Sequence, residues 1–210
     1  LPCPPCSRLF ALSLLLTAGS QVYAASSVDL TVKGIITPTA CTPNLSGMGV
    51  VDYGKISVSD LHPDQLTELP ATSLQMTVTC EAPTLFALKG IDNSTGSIDP
   101  YNYYGLGMIG DKNIGSYHLM LTNPIADGSP ATHIASADGD SWKNNEDNVW
   151  PVVFLAAFSD QPGGPLWAPS PIQALSTDLV ISPLISPTRS LNVRDELPFN
   201  GSATLEVKYL

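Results

Sequence analysis

The chain has 210 residues, with nine Lys and Arg against 19 Asp and Glu and a formal net charge of −10 at pH 7. That length corresponds to about one domain, and an acidic chain repels phosphate backbones, which argues against nucleic acid as a partner. Acidity by itself is a solubility feature and names no function.

Residues 1–24 read as a signal peptide. Arg8 is their only charge, and residues 9–18 form an apolar run too short to span a bilayer. Val22-Tyr23-Ala24 supplies a cleavage signal, with cleavage after Ala24 or, alternatively, after Ala25. No Cys stands at that point, so a lipoprotein anchor is not expected. No later stretch reaches 18 consecutive apolar residues, so stable membrane insertion is not expected either. Cys3 and Cys6 would leave with this segment, and their C-x-x-C spacing then carries no metal or redox meaning.

Residues 28–36 alternate. Val28, Leu30, Val32, Gly34 and Ile36 share one face, with Asp29, Thr31 and Lys33 between the first of them. A period of two is the pattern of a strand with one apolar face. Cys41 and Cys80 remain in the exported chain, where two cysteines most simply form one disulfide. Two buried thiols are the alternative.

Further strands are expected where apolar residues alternate. Leu74, Met76, Val78 and Cys80 form one such set, residues 85–88 another, and Tyr117, Leu119 and Leu121 a third. Residues 152–158, VVFLAAF, form a continuous apolar run suited to a central strand buried on both faces. Residues 179–181 and the pair Leu191 and Val193 are shorter candidates. Ala203, Leu205, Val207 and Tyr209 alternate to the C-terminal end of the sequence. Sustained helical periodicity is absent, and many short strands between turn residues point to an all-β sandwich or barrel. Residues 92–115 and 127–148 read as long loops, a length that is usually functional or mobile.

Catalytic and metal signals are weak. There is no G-x-S-x-G elbow. His62, His118 and His133 lack ligand-like spacing, and His118 falls on a strand where a structural role is expected. Residues 138–144, DGDSWKN, resemble a calcium loop but lack the Gly at position six and the Glu at position twelve. Asn93-Ser94-Thr95 is formally a glycosylation sequon. No catalytic residue, cofactor or metal is therefore expected. Tyr101, Tyr103, Tyr104, Trp142 and Trp150 could form an aromatic platform for a host glycan, since rings stack on apolar sugar faces. Core or loop packing is the other use of the same residues.

Taken in order, five features resemble the subunits of bacterial fimbriae assembled by the chaperone–usher route. They are the signal peptide, the alternating segment at 28–36 with Gly34, Cys41, Cys80 some 40 residues on, and the final ATLEVKYL with its penultimate Tyr209. VVDYGKI at 50–56 and FALKGIDNSTGS at 86–97 further resemble a group of fimbria-like proteins of unassigned role. The resemblance implies an immunoglobulin-like β-sandwich that lacks its last strand and is completed by a donor strand from a neighbouring subunit. It divides the chain into a signal peptide (1–24), a donor-strand extension (25–36) and a pilin-type domain (37–210). It implies that Val28, Leu30, Val32 and Ile36 fill pockets in a neighbour's groove, with Gly34 where the groove is too shallow for a side chain. The same residues could instead be the protein's own first strand. The implied partners are a periplasmic assembly chaperone that pairs with the C-terminal strand, an outer-membrane usher and other fimbrial subunits. The implied location is the cell surface. The short extension suits a minor or tip-region subunit contributing to adhesion. A single-domain carbohydrate-binding adhesin or exported binding module is the alternative.

Overall fold

The computed structural model describes residues 30–34, 40–94, 96–161, 166–191, 193 and 195–210. The signal peptide read at 1–24, and Val28 and Ile36 of the opening alternation, lie outside the described residues. The chain divides into two units, residues 1–36 and residues 37–210. In the first unit, residues 30–34 form neither helix nor strand, and Leu30 and Val32 are each 87% exposed. No heavy atom lies within 4 Å of the place a Cβ on Gly34 would take.

The described part of the second unit is all-β apart from short helical turns. Its strands are β1 (Cys41–Leu45), β2 (Thr67–Glu68), β3 (Thr72–Thr84), β4 (Phe86–Asp92), β5 (Tyr104–Gly105), β6 (Met108–Ile109) and β7 (Lys112–Asn113). They continue with β8 (Gly115–Ala126), β9 (Ser129–Pro130), β10 (Thr132–Ser136), β11 (Lys143–Asn144), β12 (Leu155–Ser159), β13 (Ile172–Ile185) and β14 (Ala203–Tyr209). One sheet has the order β1-β3-β13-β8-β5, with β2 added beside β13 and β9 beside β8. The second has the order β11-β10-β12-β4-β14, and β6 pairs with β7 alone. Both large sheets are antiparallel. Their inner faces share one hydrophobic cluster: Met76, Val78, Leu119, Leu121 and Leu179 from the first, Phe86, Leu88, Ala156 and Phe158 from the second. That is the two-layer arrangement of a β-sandwich.

The strand periodicity is realised where it was legible. Along β3, Met76, Val78 and Cys80 are buried while Gln75 and Thr79 are exposed. All five residues of β12 are buried, as a two-sided central strand requires. Ala156 and Phe158 face the main cluster. Leu155 and Ala157 join Ala87 and Ile134 in a second, smaller cluster against which Trp142 and Trp167 pack. The strand is shorter than the apolar run, because Pro151 turns the chain back and Phe154 N–H reaches the Pro151 carbonyl at 3.1 Å.

Four sequence expectations need correction. Residues 179–181 are the middle of a 14-residue strand, β13. Pro183 hid its length, and it is tolerated where the neighbour on one side changes from β3 to β2. Leu191 and Val193 do not form a strand: Thr188–Leu191 is one helical turn, opened by Pro187, whose carbonyl receives Ser190 N–H at 2.9 Å. The stretch 92–115 carries β5 and the β6–β7 hairpin. The stretch 127–148 carries β9, β10 and β11, which its small and polar residues concealed.

Candidate functional site

The feature that stands out is the edge at which β1 and β14 meet. β14 pairs with β4 through seven residues, from Ala203 opposite Asp92 to Tyr209 opposite Phe86. Among the described residues, no strand pairs with its other edge. That edge therefore carries a row of backbone groups without ladder partners, the arrangement that templates strand addition. On the other sheet β1 is equally terminal and short. It pairs with β3 only from Cys41 opposite Cys80 to Leu45 opposite Met76. β3 runs four residues further, to Thr72, beyond the reach of β1.

Side-chain burial carries the same asymmetry. Ala203, Leu205 and Val207 point towards the main cluster yet are only half-buried, whereas Phe86 and Leu88 on the neighbouring β4 are 3% and 0% exposed. The alternation is realised as a strand laddered to β4, but β14 is the last strand of its sheet and none of its residues is fully buried. The inner face of β14 is incompletely covered. Two cavities lie beneath it. One of about 310 Å³ is lined by Leu45, Met48, Met76, Ala203 and Leu205. The other, of about 300 Å³, reaches inward to Leu74, Leu106, Tyr117, Ile181 and Phe199. Between the sheets the groove is open, its apolar side chains interspersed with Asn200 and Ser202.

Two ties hold its margins. Cys41 and Cys80 are bonded, S–S 2.03 Å, which fixes β1 to β3. A disulfide of this kind belongs to an exported protein. Cys41 N–H donates to Tyr209 Oη at 2.9 Å, linking β1 to the end of β14. Tyr209 itself remains 40% exposed. Its hydroxyl thus reaches the edge strand β1 while its ring stays partly open.

Residues 50–57 follow the turn Ser46–Gly49 and run without ladder bonds. Val51 and Tyr53 alternate with exposed Asp52 and Gly54 and line the second cavity. The Tyr53 ring lies 6.5 Å from that of Phe199. Its hydroxyl is enclosed and has no hydrogen-bond partner among the described residues. These residues, with Leu45, Leu74 and Phe199, are the site members that sequence reasoning missed. The alternation within VVDYGKI was the available signal.

The five candidate aromatics are not brought together. Tyr104 and Trp150 are fully buried. Tyr104 stacks on Tyr117 with ring centroids 5.3 Å apart, and Trp150 Nε1 donates to the Phe154 carbonyl at 3.1 Å. Burial, with Tyr117 and Asp92 adding to it, holds the Tyr104 hydroxyl above the ordinary phenol range, so it stays neutral. Trp142 covers the outer cluster of the second sheet, its Nε1 donating to the Gly139 carbonyl. Tyr103 packs near His118, centroids 5.8 Å apart, and Tyr101 is 70% exposed.

Asp138 and His133 make local structural contacts. The Asp138 carboxylate accepts Asp140 and Ser141 N–H at 2.9 and 2.8 Å and the Ser136 hydroxyl at 2.9 Å. Those bonds, the backbone ones first, hold its pKa down to about 2 and close a turn. His133 is 2% exposed on β10, 5.8 Å from the Phe158 ring, and burial pushes its pKa down to about 4. Among the described residues, no group of three or more His, Cys, Asp and Glu is placed to hold a metal ion. No described helix is long and apolar enough to cross a membrane.

A family model described as a protein of unknown function (DUF1120) matches residues 30–105, from Leu30 through both cysteines to β5. The chain is similar to the uncharacterized protein YhcF of Escherichia coli (strain K12), 27% identical over 237 aligned positions that cover 93% of this chain and 98% of YhcF. It is also similar to protein GltF of the same organism, 28% identical over 240 positions covering 93% of this chain and 94% of GltF.

Proposed function

We propose that the protein is a structural subunit of a bacterial surface fimbria of the chaperone–usher class, a minor or tip-region component that catalyses nothing and acts by polymerising. The observation that carries this reading is the unpaired outer edge of β14 above a groove in which Ala203, Leu205 and Val207 are only half-covered. An immunoglobulin-like sandwich without its last strand has such a groove. An extended segment laid along β14 completes the ladder and fills the cavities, its backbone giving affinity and its alternate side chains specificity. Residues 28–36 have the alternation to be such a segment in the next subunit along. The disulfide supports passage through an oxidising periplasm, where a chaperone would hold β14 until the usher exchanges it for a subunit's strand.

The test is direct. A chain lacking residues 25–36 is mixed with a synthetic peptide of those residues, and thermal stability and hydrodynamic size are followed. A one-to-one complex with raised Tm is expected for the truncated chain, and concentration-dependent linear multimers for the chain that keeps its own segment. Absence of both effects would overturn the reading.

A further inference from the structure

Tyr53 presents an unpartnered polar group in the groove. It lines the second cavity together with Leu106, Tyr117 and Phe199, and its hydroxyl is enclosed without a hydrogen-bond partner. A buried phenol that makes no hydrogen bond is costly in a dry interior, whereas the same group facing an incoming backbone is an asset. Tyr53 comes from residues 50–57, which form no ladder, so it is not part of either sheet's own bonding. A strand seated along β14 has one edge bonded to β14 and the other turned away from it. Tyr53 lines the same cavity as Ala203 and Leu205 of β14, so a strand seated there passes its ring.

We infer that Tyr53 is a specificity-determining anchor: its hydroxyl hydrogen-bonds the backbone of the extended strand that occupies the groove. The proposal rests on the acceptor reading above and adds to it. Leu45, Leu74, Met76 and Leu205 select apolar side chains, while Tyr53 recognises one peptide group and so fixes the strand's register. A one-residue slip would turn every apolar side chain away from its pocket, and a single polar anchor penalises that slip further.

Tyr53→Phe keeps the ring and removes the hydroxyl. Full-chain protein, wild type and variant, is titrated with a labelled peptide of residues 25–36, and the Tm of the peptide-free protein is measured alongside. The variant should bind about 3- to 10-fold more weakly, the equivalent of one hydrogen bond. Its peptide-free Tm should be equal to or above wild type, because an unpartnered buried group has been deleted. A second series uses peptides with single amide-to-ester replacements. One position should lose affinity for wild type and lose nothing further for the variant. Equal peptide affinity for the two proteins, or no such position, overturns the role of Tyr53 and leaves the acceptor groove standing. No binding to wild type overturns the acceptor reading itself, and this inference with it.

Discussion

Gly90 is the position at which one added methyl group tests the support beneath the groove. It lies on β4 directly opposite Leu205 of β14. A Cβ there would stand 1.9 Å from Tyr104 Oη, 2.9 Å from its Cζ and 3.3 Å from its Cε1. Tyr104 cannot swing aside, since it is 0% exposed and stacked on Tyr117, which itself lines the groove. Overpacking of this kind costs about 1–3 kcal/mol, partly offset by the roughly 0.4–1 kcal/mol that Gly→Ala gains through the unfolded chain. The net loss for Gly90→Ala is then about 1–2 kcal/mol, or about 2–8 °C in Tm for a domain of this size. Tyr104→Phe alone should be neutral or stabilising, because the deleted hydroxyl has no partner. Combined with Gly90→Ala it should recover part of the loss, since the atom at 1.9 Å is gone while the one at 2.9 Å remains. Thermal and urea unfolding of the four proteins closes the cycle. A Gly90→Ala protein with wild-type Tm would refute the reasoning, as would a Tyr104→Phe protein destabilised by more than about 1 kcal/mol.

Four further outcomes are expected. Deleting residues 207–210 removes the pairs Val207–Leu88, Lys208–Ala87 and Tyr209–Phe86 and the Tyr209 link to Cys41; immunoblots of periplasmic extracts should show no accumulation, and normal levels would contradict this. Replacing Cys41 and Cys80 together by Ala should lower stability by about 2–5 kcal/mol in urea unfolding, and a free-thiol assay on the unfolded, unreduced wild type should find no reactive cysteine. His133 has a folded pKa depressed from 6.5 to about 4 by burial, so the unfolded chain binds its proton first. Its contribution is intact above pH 6.5 and is lost as pH falls towards 4, by up to roughly 3 kcal/mol; His133→Gln should flatten stability between pH 6.5 and 4, and an unchanged slope would count against it. Gly34→Asn should leave folding unaffected, as no atom of the described residues beyond its chain neighbours lies within 4 Å of the added Cβ, while slowing or blocking strand exchange with a partner subunit; lowered stability with unchanged exchange would place residues 28–36 in the protein's own core.

What the sequence made legible is what alternation and chemistry encode locally. The buried faces of β3 and β12, the ladder position of β14 and the Cys41–Cys80 bond all follow from period, apolar content and export. What it concealed depends on partners distant in the chain. Pro183 reads as a strand breaker until the change of neighbour from β3 to β2 is seen. The segment Thr132–Ser136 reads as loop, although Ile134 and His133 are buried in the second sheet. Tyr104 and Trp150 look like binding aromatics in a Gly- and Asn-rich context and are core residues. The groove was the least legible feature of all. Its walls combine Leu45, Tyr53, Leu74, Phe199 and Leu205, drawn from five separate stretches, and apart from the alternation in VVDYGKI no local pattern announces residues that converge only after folding.

The half-covered state of β14 also gives a physical reason for an assembly chaperone on the proposed reading. Fully burying one Leu or Val side chain is worth about 1.5–3 kcal/mol relative to exposure, and β14 holds Leu205 and Val207 short of full burial. An isolated subunit therefore lacks part of the stabilisation that a completed sandwich would have, and it exposes an unpaired strand edge at the same place. An edge of that kind pairs with whatever strand arrives. The Cys41–Tyr209 hydrogen bond and the Cys41–Cys80 disulfide hold the two margins in position, but neither supplies backbone partners or fills the cavities beneath Leu205. Folding to completion and binding a strand thus become one event. On that reading a temporary strand from a chaperone would cover the edge until a neighbour's permanent one replaces it. The permanent one must cover the cavities better than the temporary one for assembly to run forward.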